Sequence, residues 1–124
     1  MLALTLAAAL TQATPAPHWR LFADRPGMAG TLSYDPASVR RRGTGIDVNV
    51  RFLYPRATGS GERWLVWRTH VDCAARTHMI RSVVGYDDAG RQLFDRPWYA
   101  ERGQPFPVTP GTPDATLLDL VCRR

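Results

Sequence analysis

The chain has 124 residues, 44% of them hydrophobic, which is enough for one modest core and too little for two ordinary domains. All sixteen basic residues are arginine and lysine is absent, which excludes functions that need a lysine amine, such as a P-loop nucleotide site or a Schiff base. The net charge of +5 favours partners that carry phosphate, sulfate or carboxylate groups.

The amino-terminal segment has the pattern of a secretory signal peptide. Residues 2–10 are almost entirely apolar, and small and polar residues follow, with cleavage expected after Ala13 or Ala16. As a helix this apolar segment would span about 14 Å, less than half of a hydrocarbon core of roughly 30 Å. We therefore expect residues 1–16 to be a signal peptide without a transmembrane anchor, and residues 17–124 to form one domain that is periplasmic, secreted or on the cell surface.

Short strands are predicted along most of the remaining chain. Residues 18–24 and 28–35 are aromatic-containing strand candidates separated by a tight connection. In residues 46–54 every second side chain, from Ile46 to Tyr54, is apolar or aromatic. In the segment 63–73 the odd positions share one face, which places Val71 and Cys73 on the core side. Residues 78–86, the turn 87–90 and residues 91–98 complete a run of consecutive antiparallel strands.

The carboxyl-terminal segment is predicted to be the one helix. Thr112 is a suitable N-cap, Pro113 suits the first helical position, and Asp114 lies in the first turn, where the helix dipole favours negative charge. The apolar residues Leu117, Leu118, Val121 and Cys122 recur at helical spacing. This pattern predicts a helix that packs on the sheet through the face that carries the second cysteine.

The chain contains two cysteines, and export decides how they are interpreted. Cys73 could be a nucleophile, a metal ligand or half of a disulfide, but an isolated pair of cysteines in an oxidising compartment normally joins. The neighbouring Asp72 would also disfavour a reactive thiolate. We therefore predict a Cys73–Cys122 disulfide between the helix and a central strand. The predicted fold is α+β, an antiparallel meander of about six strands with the helix on one face.

Several of these features together resemble the surface-adhesin protein E family of small secreted bacterial proteins. The resemblance lies in Trp19, "YDPASV" (34–39), "VNVRF" (48–52), "VDC" (71–73), "YDDAG" (86–90), Trp98, "PG" (110–111) and the "VC" before the end. It implies an antiparallel sheet backed by a carboxyl-terminal helix, with Cys73 and Cys122 matching the disulfide of the family. It also implies a host-interaction protein, since some members bind extracellular matrix components, plasminogen or haem. No binding residue is carried over, because the binding segments of those members depend on lysine.

Arginine side chains are the candidate binding residues. Arg40, Arg41 and Arg42 form the strongest local charge feature, and together with Arg51 they are predicted to bind a polyanion. Further arginines, Arg56, Arg63 and Arg68, extend this set into a possible stripe. The expected partner is an extracellular macromolecule, such as a matrix protein or an anionic glycan, and no specific nucleic acid is expected because no nucleic-acid-binding motif is present.

Catalytic and metal sites are not predicted. His70, Asp72 and His78 are of the residue types that bind metals, but they lack a tight ligand spacing. We therefore expect a non-enzymatic binding domain without a cofactor. Two alternatives remain at this point: a small exported hydrolase or nuclease that uses His70 and His78, and an envelope structural or inhibitor protein that pairs through a strand edge.

Overall fold

A computed structural model describes residue 3, residues 16–98 and residues 104–123. The predicted signal peptide and its cleavage positions therefore lie outside the described residues, apart from Ala3 and Ala16, and stay a prediction.

The described chain forms an antiparallel sheet that curls into a half-barrel, with one helix at its carboxyl end. Six strands form the main order β1-β2-β4-β5-β6-β7, while β3 pairs with β4 and β8 pairs with β6. The strands are β1 (Arg20–Ala23), β2 (Thr31–Tyr34), β3 (Arg40–Arg42), β4 (Gly45–Leu53), β5 (Trp64–Asp72), β6 (Thr77–Tyr86), β7 (Gln92–Pro97) and β8 (Phe106–Pro107).

The predicted run of about six strands corresponds to the six strands of the main order, but the described residues contain eight strands in all. The two unpredicted strands are β3 and β8, which have three and two residues. Neither contains an apolar–polar alternation that a sequence pattern could reveal. Strand β3 also interrupts the simple meander, since it pairs with the same strand, β4, as β2 does.

Alternation along β4 separates the two faces of the sheet. Ile46, Val48 and Val50 are at most 5% exposed and lie on the core face, where Val48 stands opposite Thr69 and Ile46 opposite Val71. The intervening residues Asp47, Asn49 and Arg51 point to the other side, which we call the polar face. Over residues 46–51 the predicted alternation is thus confirmed as a division between core and polar surface.

The predicted carboxyl-terminal helix, α1, spans Pro113–Cys122. The Thr112 hydroxyl accepts a hydrogen bond from the Ala115 amide at 3.3 Å, and Pro113 occupies the first turn. Leu117, Leu118 and Val121 are at most 1% exposed and join the core residues of β1, β2, β4 and β5. None of the described helices is long and apolar enough to cross a membrane.

The predicted disulfide is present. Cys73 follows β5 directly and Cys122 is the last residue of α1, and their Cα atoms lie 5.7 Å apart. The bond therefore fastens the end of the helix to the end of a central strand.

A β-bulge interrupts the pairing of β5 with β6. Arg68 pairs with Ser82 and Thr69 with Ile80, which leaves Arg81 as an extra residue on β6. Its carbonyl oxygen accepts a hydrogen bond from the Trp98 amide at 2.9 Å, so the bulge keeps a backbone partner. The bulge turns both Arg81 and Ser82 toward the polar face.

Candidate functional site

The polar face carries a cleft of about 370 Å³ between β3, β4, β5 and β6. We call it the basic cleft. Its polar walls include four arginines and two residues of β4: Arg40, Arg42, Arg68, Arg81, Asp47 and Asn49.

Strand β3 supplies the first two guanidinium groups. Arg40 stands opposite Asp47 and Arg42 opposite Gly45, so their side chains lie on the polar face of the sheet. Arg40 Nη1 donates to the carbonyl oxygens of Ala37 and Val39 at 2.7 and 2.8 Å. These bonds hold the Arg40 side chain in place and leave its other nitrogens available.

Arg68 on β5 is fixed by the two strands beyond it. Its Nη1 and Nη2 donate to the Asp95 carboxylate at 3.2 and 3.3 Å, and Nη1 also donates to Ser82 Oγ at 3.1 Å. A guanidinium group has five N–H donors in a planar fork, so these contacts use only part of its capacity. Arg68 therefore stands at the rim of the cleft in a defined orientation with donors to spare.

Arg81 reaches the cleft because of the β-bulge. Its Nη2 atom lies 3.9 Å from Asp47 Oδ1, the only acidic contact that the described residues make to this guanidinium. Bulges commonly redirect a side chain at functional surfaces. Here the bulge turns Arg81 toward the cleft and so brings the number of its arginines to four.

Asp47 lies among the cations as an internal counter-ion. His70 Nδ1 donates to Asp47 Oδ1 at 2.8 Å, and Arg42 Nη1 donates to Oδ2 at 3.4 Å. Burial opposes ionisation of this carboxyl group, but the His70 hydrogen bond and the neighbouring Arg81 and Arg42 outweigh it, so the pKa of Asp47 lies below its usual value. Asp47 is thus a carboxylate at neutral pH, and its hydrogen bonds hold the side chains of His70 and Arg42 in place.

Asn49 is the neutral polar residue of the cleft. It pairs with Arg68 across β4 and β5, and its backbone amide donates to Ser38 Oγ at 2.9 Å. Its side-chain amide makes no hydrogen bond to any other described residue. This amide offers one acceptor oxygen and two N–H donors beside the arginines.

The electrostatic balance of the cleft is positive. Four guanidinium groups face the carboxylates of Asp47 and Asp95, which leaves an excess of two positive charges. The ion pairs are at least partly exposed to solvent, and such pairs contribute little to stability, so exchanging a carboxylate for a ligand anion costs little. The arrangement is suited to holding an anionic group by charge-assisted hydrogen bonds.

The two histidines that the sequence suggested as a catalytic pair, His70 and His78, lie on opposite faces of the sheet. His70 pairs with Met79 across β5 and β6, and its imidazole bonds Asp47 on the polar face. His78 pairs with Val71, is 4% exposed and packs edge-on against Phe106 on the core face. No group of three potential metal ligands occurs among the described residues. The alternative of a hydrolase built on His70 and His78 therefore lacks its catalytic pair.

The predicted arginine set is divided by the structure. Arg40 and Arg42 line the basic cleft, but Arg41 pairs with Ile46 and so points to the opposite side of the sheet. Arg51 lies on the polar face with its guanidinium carbon 5.1 Å from the centre of the Trp19 ring. Burial lowers the pKa of Arg51, and its buried Nε has no hydrogen-bond partner within the described residues. Arg51 thus holds Trp19 against the sheet and lies outside the cleft.

Three of the polar cleft residues were absent from the candidate set: Asp47, Asn49 and Arg81. Asn49 is uncharged and gave no charge signal, although the strand alternation places it beside Asp47 and Arg51. Arg81 is a single arginine inside an apolar strand pattern, and only the bulge shows that it joins the other cations.

A scan of protein-family models matched Surface-adhesin protein E over residues 19–123 of the chain. The match begins at Trp19 and ends one residue after Cys122, so it includes every described strand and the helix. Searches of curated proteins and of solved structures found no significant match.

Proposed function

Because the chain belongs to the surface-adhesin protein E family, we propose that it is an exported, non-enzymatic binding protein that holds anionic groups of an extracellular macromolecule in its basic cleft. In this proposal residues 1–16 direct export, residues 17–124 form the binding domain, and the protein acts in the periplasm or at the cell surface. The family match supports a surface adhesin, and the excess positive charge of the cleft supports an anionic ligand.

One observation carries the proposal: four arginines from three strands converge on one cleft, and other parts of the protein hold at least two of them in position. Arg40 is held by two carbonyl groups and Arg68 by Asp95 and Ser82. Side chains that are already ordered lose less conformational entropy when a ligand binds. Arginine also offers the planar donor geometry that carboxylate and sulfate groups accept in pairs.

The proposal is tested with the full chain, expressed with export and purified, on immobilised heparin as a model polyanion. The variant Arg68→Gln with Arg81→Gln removes two cleft cations. We expect it to weaken binding at least about tenfold, which corresponds to ~1.4 kcal/mol, and to reduce the salt dependence of binding because fewer counterions are released.

The matched control is Arg56→Gln with Arg91→Gln, which removes the same charge from exposed positions outside the cleft. We expect this control to bind within about twofold of the wild type, since the two positions are remote from the proposed contact. Equal losses in the two double variants would mean that net charge, and not the cleft, controls binding, and would contradict the proposal.

A further inference from the structure

We propose that the basic cleft recognises an acidic sugar unit, meaning a sugar ring that bears a carboxylate or sulfate together with free hydroxyl groups, in preference to a bare inorganic anion. This inference rests on the proposed function and adds the chemical class of the ligand.

Asn49 is the residue that points to a ligand with hydroxyl groups. Arginines supply donors only, and a phosphate or sulfate ion needs only donors. The Asn49 side chain adds an acceptor oxygen beside Arg68, and that oxygen receives no hydrogen bond from any other described residue. A sugar hydroxyl is both donor and acceptor, so it can satisfy this amide and an adjacent guanidinium at once.

The other uncharged polar side chains of the cleft are already occupied. Ser38 Oγ donates to the Asp35 carbonyl oxygen at 2.6 Å and accepts from the Asn49 amide. Thr69 Oγ1 is buried and donates to the Val48 carbonyl oxygen at 2.8 Å. Asn49 is therefore the neutral side chain within this lining that is available to a ligand.

The volume of the cleft suits a sugar ring better than a single inorganic anion. Its volume of about 370 Å³ lies in the lower part of the range of roughly 300–1,000 Å³ that small-molecule sites occupy. A single tetrahedral anion would fill only a small fraction of this space. A sugar ring can place its acidic group among the cations and a hydroxyl at Asn49.

The experiment compares three soluble probes by calorimetry with the full exported chain. They are a heparin hexasaccharide with sulfate and carboxylate groups, a hyaluronan hexasaccharide with carboxylates alone, and a linear polyphosphate of the same charge as the heparin fragment. The wild type is expected to bind at least one hexasaccharide about tenfold more tightly than polyphosphate. The hyaluronan fragment distinguishes a carboxylate from a sulfate as the recognised group.

The variant Asn49→Ala tests the assigned residue. We expect it to lose about tenfold in affinity for the preferred hexasaccharide and to keep its affinity for polyphosphate, which also reports that the variant is folded. Polyphosphate binding as tight as that of both hexasaccharides, or equal losses for all three probes in Asn49→Ala, would overturn the inference and leave the proposed function standing. A wild type that binds none of the three would refute the proposed function itself.

Discussion

Gly45 shows how one residue shapes the polar face. A methyl group at this position would meet His70 Nε2 and the Val71 carbonyl oxygen, both at distances that real Cβ atoms do not adopt. The absence of a side chain thus allows the His70 imidazole to lie over β4, where its Nδ1 reaches Asp47. Gly45 is required here for close approach, which is a recurring use of glycine within strands.

We therefore predict that Gly45→Ala lowers the free energy of unfolding by about 1–3 kcal/mol, the usual cost of inserting a group into a filled space. Urea denaturation measures the change. Gly59→Ala is the matched control, because a methyl group there meets no atom within 4 Å, and it should change stability by less than ~0.5 kcal/mol. Equal stabilities of the two variants would contradict the close approach assigned to Gly45.

His78 is a buried imidazole on the core face. Burial lowers its pKa from the usual 6.5, while the charge of Asp114 on α1 acts in the opposite direction and only partly offsets it. Its buried Nδ1 has no hydrogen-bond partner within the described residues. The folded protein therefore keeps this side chain neutral at a pH where the unfolded chain already protonates it.

This difference predicts a pH dependence of stability. As pH falls from 7 to 5, the unfolded state gains a proton at His78 before the folded state does, so the free energy of unfolding should decrease. The carboxyl groups with lowered pKa, such as Asp47, contribute to the loss of stability at lower pH, below their usual value of 3.8. His78→Leu should flatten the decrease between pH 7 and 5. An unchanged slope in His78→Leu would contradict this account.

At the scale of elements, the helix is joined to the sheet by apolar contact and by one covalent bond. Leu117, Leu118 and Val121 pack into the core formed by the strands, and Cys122 links the last turn to Cys73. The two cysteines are separated by 49 positions in the chain. Closing a loop of this length restricts the unfolded chain strongly.

We predict that replacing both cysteines by alanine lowers the free energy of unfolding by about 4 kcal/mol, as the chain-entropy description gives for such a loop. Thermal and urea unfolding with and without a reducing agent provide the measurement. The wild type should lose stability on reduction and the double variant should not respond. A wild type whose stability is unaffected by full reduction would show that the bond has no role in holding the helix.

The elements also show what a sequence pattern can and cannot reveal. Long strands and the helix were predictable, because Ile46, Val48 and Val50 alternate and Thr112 and Pro113 form a standard helix start. Strand β3 could not be predicted in this way, because three successive arginines show no alternation of apolar and polar side chains. They form a strand only because this part of β4 is free to pair with them. The bulge at Arg81 depends on how two distant segments register, and no local pattern encodes it.

For the whole molecule, the sequence predicted the fold much better than the candidate site. Composition, periodicity and the cysteines predicted an α+β domain with a helix that a disulfide links to the sheet. The strands and the helix are encoded by local patterns, and the disulfide depends on one pair of residues. The basic cleft depends on the pairing of four strands, so the sequence identified Arg40 and Arg42 but grouped them with Arg41 and Arg51, which lie elsewhere. Its assembly from separate strands also makes the cleft sensitive to the curl of the sheet.

The most direct test of the central claim is a ¹⁵N nuclear magnetic resonance titration of the full exported chain with the acidic hexasaccharide that it binds most tightly. The arginine Nε–H and asparagine side-chain signals report each proposed contact separately. The account predicts that the largest shifts belong to Arg40, Arg42, Arg68, Arg81 and Asn49. Shifts that spread evenly over exposed arginines such as Arg41, Arg56 and Arg91, with Asn49 unchanged, would contradict it.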